Sequence, residues 1–165
     1  MSTEVRARTP NRPGELAEAL QRATVKGRMD AAILRVAIAE FLDTFYLDPD
    51  PDNRKRRLTR TPTLIQDPNV DAFMGAVGEH LCSRWALGQA PGWTEAPERF
   101  LKRPAFMGPE RLKPFLLMES PTAFRRRLIF TEAEPLRRAR MPRDGRWWAY
   151  EKLRTGLTPE VELAP

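Results

Sequence analysis

The apolar residues of this chain recur at helical spacing in two long segments. In the first segment they follow the order i, i+3, i+4, i+7, which is typical of a helix with one buried face. These positions are Ile33, Leu34, Ala37, Ile38, Phe41, Leu42 and Phe45. Asp30 precedes this stripe, and the sequence Asp48-Pro49-Asp50-Pro51 follows it. A proline disfavours the helical conformation of the residue before it, so the helix should end before Pro49. We therefore predict a helix from Asp30 to about Leu47.

A second long helix is predicted to begin at Asp67-Pro68. An aspartate can accept hydrogen bonds from the free N–H groups at a helix start, and a proline at the first helical position loses none. The apolar positions of this helix are Val70, Phe73, Met74, Val77, Leu81 and Trp85. Gly88 is a natural helix end, because glycine readily adopts the left-handed conformation that terminates helices.

Shorter elements surround these two helices. We predict a helix from Glu15 to near Gly27 and another over 109–119, with a further helical segment opening at Ser120-Pro121. The apolar residues of 109–119 that we expect to face inward are Leu112, Phe115, Leu116 and Leu117. Residues 48–63 are polar, which favours a solvated loop. No segment alternates in the manner of a strand. The sequence therefore predicts an all-α fold, a compact irregular bundle of about five to six short helices with extended N- and C-terminal arms.

Proline and charge divide the chain into three parts. Residues 1–13 are interpreted as a flexible basic arm, residues 14–140 as a single helical domain, and residues 141–165 as a C-terminal tail that holds Trp147 and Trp148. The chain has 165 residues, of which 41% are hydrophobic and 30% charged, so it can form one packed domain.

Several classes of function are excluded by composition. With one cysteine, Cys82, and one histidine, His80, the chain holds neither a disulfide framework nor a histidine-rich or cysteine-rich metal centre. It also lacks a Gly-rich phosphate loop and a serine-nucleophile motif, and we expect no metal, no cofactor and no assigned catalytic residue. No run of about 18 apolar residues occurs and the N-terminus lacks an apolar signal segment, so we expect a cytoplasmic protein without membrane contact.

Positive charge is concentrated in one region and consists mostly of arginine. The formal net charge is +6, and 23 of the 28 basic residues are arginine. Residues 99–146 hold 13 basic and 5 acidic residues, a net charge of +8. The candidate partner- or phosphate-binding arginines are Arg125, Arg126, Arg127, Arg137 and Arg138. Consecutive helical residues point about 100° apart, so one residue of the triple run must point inward, where we expect a carboxylate such as Glu119 to pair with it. The alternative for the other arginines is that they form a surface that is only exposed to solvent and binds no partner.

The tail carries two adjacent tryptophans, Trp147 and Trp148, beside Arg146. Large aromatic side chains usually dock on protein or stack on another ring. They could dock on the parent domain, dock on a partner, or stack on nucleic-acid bases, and we favour protein docking.

Glu79 and His80 are adjacent in the second long helix. A carboxylate and an imidazole can act as an acid and base pair. Neighbours in a helix do not face each other, however, so a structural polar network of Glu79, His80 and Glu119 is the favoured interpretation. We interpret Cys82 as a small buried apolar residue.

The middle of the chain resembles an uncharacterised family of small bacterial helical proteins. The segments that carry the resemblance are Glu79-His80-Leu81, Pro91-Gly92-Trp93-Thr94, Pro97 to Leu101, and Glu119 to Phe130. In that family a similar region sometimes follows a helix-turn-helix domain and sometimes occurs in toxin–antitoxin-like gene pairs. The resemblance spans roughly residues 30–140 and implies a protein partner encoded nearby.

Three functions remain as hypotheses. The first is a non-enzymatic interaction protein, similar to the antitoxin or accessory component of a bacterial two-gene module, that binds a protein partner or a second copy of itself. The second is a regulatory module that binds the DNA or RNA backbone. The third, with the least support, is an enzyme that uses Glu79, His80 and an arginine.

Overall fold

Residues 12–155 are described by the computed structural model of this chain. Most of the predicted basic arm, residues 1–11, and the last ten residues of the predicted tail lie outside them. The helices are α1 Leu16–Ala23, α2 Ala31–Leu47, α3 Pro51–Arg56, α4 Pro68–Arg84, α5 Lys113–Glu119, α6 Thr122–Arg125 and α7 Gly145–Thr155. Single 3-10 turns span Gly92–Glu95, Pro97–Arg99 and Glu110–Leu112. The predicted all-α class is confirmed.

Both long helices begin where the sequence predicts, and α2 also ends there, whereas α4 ends at Arg84, before the predicted end at Gly88. The Asp30 carboxylate accepts hydrogen bonds from Ala32 N and Ile33 N at 2.9 and 3.0 Å and caps α2. Asp67 caps α4 in the same way, and Pro68 occupies its first turn. These local caps satisfy backbone donors that no residue inside the helix can reach.

Two small sheets interrupt the helices, although no strand is predicted. Strands β1 Thr24–Val25 and β2 Arg28–Met29 form an antiparallel hairpin directly after α1, so that helix ends at Ala23 and not near Gly27. Strands β3 Ala105–Phe106 and β4 Ile129–Phe130 pair in parallel. Each strand has two residues, too few to produce an alternating pattern in sequence.

Two further segments contain a helix that the sequence does not predict. The predicted polar loop over 48–63 contains α3, which begins with an Asp50 cap and Pro51 at its first position. The tail is helical from Gly145 to Thr155 and buries Trp147 and Tyr150. The polar composition of 48–63 predicts a loop, and the lack of apolar periodicity after about residue 141 predicts an extended tail, so neither segment is predicted to be helical.

The hydrophobic core lies between α1, α2, α4 and α6. Its fully buried members include Phe41, Phe45, Met74, Val77 and Phe124. The transfer of these side chains out of water is the main stabilising contribution to the fold.

Cys82 also belongs to the core, as predicted. It lies in α4 and is 1% exposed, and Lys55 Nζ lies 3.8 Å from its Sγ. Burial raises the pKa of the thiol. The side chain is therefore neutral and packed at pH 7.

No helix within residues 12–155 is both long and apolar enough to cross a membrane. Over the same residues, no group of three or more His, Cys, Asp or Glu side chains is arranged to hold a metal ion.

Two glycines allow other segments to approach α4 closely. A Cβ added at Gly75 would lie 2.8 Å from Arg99 Cβ and 2.9 Å from Arg127 Nε, and one at Gly78 would lie 2.7 Å from the Trp93 ring. These distances are shorter than ordinary van der Waals contact. The absence of side chains at these two positions is what allows two arginines and a tryptophan to pack against α4.

We expect Gly75→Ala to lower the free energy of unfolding by about 1–3 kcal/mol, because the added methyl group overpacks this contact. The matched control is Gly145→Ala in the first turn of α7, where a Cβ meets nothing within 4 Å. Helix propensity favours alanine, so we expect the control to be neutral or slightly stabilising. Urea denaturation of both variants measures the difference, and a Gly75→Ala protein as stable as wild type would contradict the packing argument.

Candidate interaction site

One face of α4 forms the floor of a large groove. Glu79, His80, Ser83 and Arg84 lie on this face, and α5, α6, the segment 131–135 and α7 surround it. The groove has a volume of about 1420 Å³. It brings together residues from the middle and the C-terminal part of the chain, which the sequence alone does not place side by side.

Two helices supply apolar walls that face solvent. From α5 and the 3-10 turn before it come Leu112, Phe115 and Leu116, and from α7 come Ala149 and Leu153. Phe115 is 59% exposed and Leu153 is 83% exposed. The prediction that Leu112, Phe115, Leu116 and Leu117 all face inward is wrong, because only Leu116 is buried. The groove is thus lined by large apolar side chains that this domain leaves uncovered.

Charged residues of both signs line the same groove. Glu119 and Glu132 are exposed, as are Arg146 and Arg154. Tyr150 donates a short hydrogen bond to Glu132. Burial raises the pKa of this phenol to about 12, with Glu132 acting in the same direction, so Tyr150 stays protonated at pH 7.

A buried ionic cluster supports the floor of the groove. Arg84 Nε donates to Glu134 Oε1 at 2.9 Å, and its two terminal nitrogens donate to the Asp144 carboxylate at 2.6 and 2.8 Å. The hydrogen bonds from Arg84 hold the pKa of Asp144 at about 2. Burial raises the pKa of Glu134 above its ordinary value despite the guanidinium. The cluster ties the floor, α4, to the segment 131–135 through Glu134 and to the residue before α7 through Asp144, so it fixes these two walls relative to the floor.

His80 lies on this floor as a neutral imidazole. It is 5% exposed, and its ring meets the Phe124 ring edge-on at 5.5 Å between centroids. Burial lowers the pKa of His80 to about 4, and the nearby Arg84 and Arg146 guanidinium groups act in the same direction. A cationic form of His80 is therefore excluded near pH 7.

The triple arginine run is anchored to α4 through Glu79. Arg127 is fully buried, pairs with Glu79, and donates to Ala123 O and Thr94 O at 2.7 Å each. Arg126 pairs with Glu79 at 3.0 Å and with Glu95 at 2.7 Å. The inward arginine is therefore Arg127, and its carboxylate is Glu79. The expectation of Glu119 is wrong, because Glu119 is exposed at the end of α5.

An aromatic ring lies against the same two arginines. The guanidinium carbon atoms of Arg127 and Arg126 lie 4.6 and 5.4 Å from the centroid of the Phe100 ring. Arg125 is exposed and donates to the carbonyl oxygens of Met118 and Ser120 at 2.9 and 3.0 Å. Of the three arginines, Arg125 alone has no carboxylate partner among the described residues.

The second predicted arginine pair is also engaged within the chain. Arg138 forms two hydrogen bonds with the Asp43 carboxylate at 3.0 and 2.8 Å. Arg137 pairs with Glu151 of α7, and its guanidinium lies 5.1 Å from the Trp147 ring. These contacts join the segment after β4 to α2 on one side and to α7 on the other.

The two tryptophans have different environments. Trp147 is 8% exposed and packs beneath Arg137 and Arg143, whereas Trp148 is 43% exposed. Their rings meet edge-on at 4.8 Å. Trp147 therefore docks on its own chain, and Trp148 is the tryptophan of the pair that remains largely accessible.

Sequence reasoning missed three residues of this part of the fold, Leu153, Glu134 and Arg99, and placed a fourth, Phe115, on the wrong face of its helix. Arg99 is 1% exposed, packs over the Trp93 ring and donates to Asp71 O at 3.3 Å. The glycines at 75 and 78 could have indicated that other segments pack closely on α4, because small residues on a helix face permit close contact. No sequence pattern indicates that Phe115 and Leu153 are exposed.

Comparison with known proteins returns no match: no family model fits the chain, and no curated protein or solved structure is significantly similar to it.

Proposed function

We propose that this chain is a non-enzymatic interaction protein that binds an amphipathic helix of a partner protein in the groove between α5 and α7. The observation that carries the proposal is the exposure of Phe115 and Leu153 toward one groove. Soluble proteins usually cover such side chains, and contiguous exposed apolar surface often marks a binding site.

The size of the groove favours a polypeptide over a small molecule. Small-molecule sites usually enclose about 300–1,000 Å³, whereas this groove has about 1420 Å³. An amphipathic helix fits such a space by placing apolar residues at i, i+3, i+4 and i+7 into it. The polar faces of the partner helix then meet charged residues of both signs in the groove lining: Glu119, Glu132, Arg146 and Arg154.

The resemblance to small bacterial proteins of two-gene modules supports a partner encoded by the adjacent gene. In this proposal the chain is the antitoxin-like or accessory component. Trp148 is exposed on α7 outside the groove lining and offers a partner a further aromatic contact, since tryptophan is among the residues that dominate interface energetics. The interface thus differs from the arginine-rich surface expected from sequence.

Nucleic-acid binding is the weaker alternative. Four of the arginines predicted to contact phosphate, Arg126, Arg127, Arg137 and Arg138, already pair with carboxylates of the same chain. These pairs lower the net positive charge that binding to a phosphate backbone requires, even where a single donor of the arginine stays unpaired. A gel shift at low ionic strength that disappears at high salt would favour this alternative.

The groove is tested by Phe115→Asp and Leu153→Asp in co-purification with the product of the adjacent gene. We expect each substitution to weaken the complex at least tenfold, because it places a charge where the partner's apolar residues pack. Because both side chains are exposed, the free energy of unfolding should change by less than about 0.5 kcal/mol.

The matched control is Leu117→Asp, which lies on the same helix and does not line the groove. It should leave the complex intact. Recovery of the chain alone in every case, or equal effects of Leu117→Asp and Phe115→Asp, would contradict the proposal. A stable homodimer that Phe115→Asp dissociates would instead assign the groove to a second copy of the chain.

A further inference from the structure

A second, smaller cavity lies between α2, the start of α4 and the β3–β4 pair. It has a volume of about 580 Å³. Its walls are mostly apolar, with major contributions from Leu34, Ile38, Leu42, Val70, Phe73 and Ile129. This volume falls within the range of small-molecule sites, unlike that of the groove.

The charged residues that line this cavity all have the same sign. Three arginines, Arg35, Arg137 and Arg138, contribute to the lining, and no aspartate or glutamate of residues 12–155 does. An apolar cavity that carries cationic groups and no carboxylate is complementary to a ligand with an apolar body and an anionic head.

Two of the three guanidinium groups, those of Arg35 and Arg137, retain capacity to bind an anion, whereas that of Arg138 is held by Asp43. Arg35 is exposed and forms no ion pair with any residue of the described range 12–155. Arg137 pairs with Glu151, yet its Nη1 is buried and has no hydrogen-bond partner among the described residues. A buried unsatisfied donor is costly, and a carboxylate that accepts from it would remove that cost.

We propose that this cavity binds a single-chain anionic amphiphile of the fatty-acid class. The alkyl chain lies among the aliphatic side chains of α2 and α4, and the carboxylate is held by the guanidinium groups of Arg35 and Arg137. The site shares only Met107 and Pro135 with the lining of the groove of the proposed function and has a different ligand class. Its arginines include two that the sequence marks as anion-binding candidates.

Calorimetric titration of the full chain with dodecanoate, below the concentration at which it forms micelles, tests the site. We expect saturable binding with one site per chain. Decanoate, which is shorter by two methylenes, should bind roughly fifteenfold more weakly, because each methylene removed from water contributes about fourfold in affinity. Dodecanol, which lacks the charge, should bind at least tenfold more weakly than dodecanoate, and dodecyltrimethylammonium should show no saturable binding.

Two variants separate the head-group site from the chain site. Arg35→Glu should weaken dodecanoate at least tenfold while leaving dodecanol unchanged, and Arg111→Glu, exposed and outside the lining, should change neither. Ala39→Phe should block both ligands by filling the cavity. Circular dichroism shows whether the Ala39→Phe variant folds. If this variant does not fold, the result for Arg35→Glu decides, because Arg35 is exposed and its replacement should leave the fold intact.

Several results would overturn the proposal. These are a failure of dodecanoate to saturate, equal binding of the cationic and anionic amphiphiles, and full binding by Ala39→Phe. Dimerisation that Ala39→Phe abolishes would assign the cavity to a second copy instead. Phe115→Asp should retain dodecanoate binding, so failure of the groove proposal and failure of this one are distinguished.

Discussion

Replacing Glu79 with alanine is expected to lower the free energy of unfolding by about 3–5 kcal/mol, the largest effect of any single substitution considered for this chain. Glu79 is the only carboxylate paired with Arg127 among the described residues, and the Arg127 side chain is fully buried. Without Glu79 a positive charge is left inside the protein with only carbonyl oxygens as partners. The melting temperature should fall by roughly 10 °C or more for a domain of this size.

The control for this prediction is Glu95→Ala. Glu95 pairs with Arg126, and both side chains are largely exposed. Solvent screens such pairs, so the loss should stay below about 1 kcal/mol. Thermal and urea denaturation of the two variants measure the contrast. Equal losses in the two variants would show that burial of Arg127 does not determine the cost.

Acidification should destabilise the folded chain through His80. Folding lowers the pKa of this imidazole from 6.5 to about 4, so the unfolded chain takes up a proton between these values that the folded chain does not. The free energy of unfolding attributable to His80 is therefore fully present above pH 6.5 and falls as the pH decreases. At pH 4 the loss should be about 3 kcal/mol.

Other groups titrate near the same window, so the measurement must isolate His80. The raised pKa of Glu134 acts in the opposite direction, because the folded chain then binds the extra proton. Comparing wild type with His80→Gln at each pH cancels this contribution, since Glu134 is present in both. The stability of His80→Gln should depend less on pH between 7 and 4. Parallel curves for the two proteins would contradict the prediction.

The parts of the fold that could be predicted from sequence are those with local causes. The starts of α2 and α4 are set by Asp30 and by Asp67 with Pro68, and the end of α2 by Pro49, all of which act within a few residues. The same signal, Asp50-Pro51, begins α3 and could have predicted it. It was outweighed by the polar composition of the segment, which indicates exposure but does not by itself exclude a helix.

The parts that could not be predicted depend on contacts between distant residues. Glu79 and Arg127 are 48 positions apart, and no local pattern selects Glu79 over Glu119 as the partner. In α5 the five residues between Lys113 and Glu119 are all apolar, so periodicity cannot show which side chains face the core. In α7 the inward residues are Trp147 and Tyr150, whose burial depends on packing against Arg137.

The buried thiol in α4 provides a built-in reporter of motion. Cys82 is the only cysteine in the chain, and its neutral sulfur is shielded from solvent. A disulfide reagent can modify it only after the surrounding segments separate, so the rate of modification follows the opening of this region. Because no second thiol competes, labelling kinetics can follow the internal dynamics of the natural sequence without engineering.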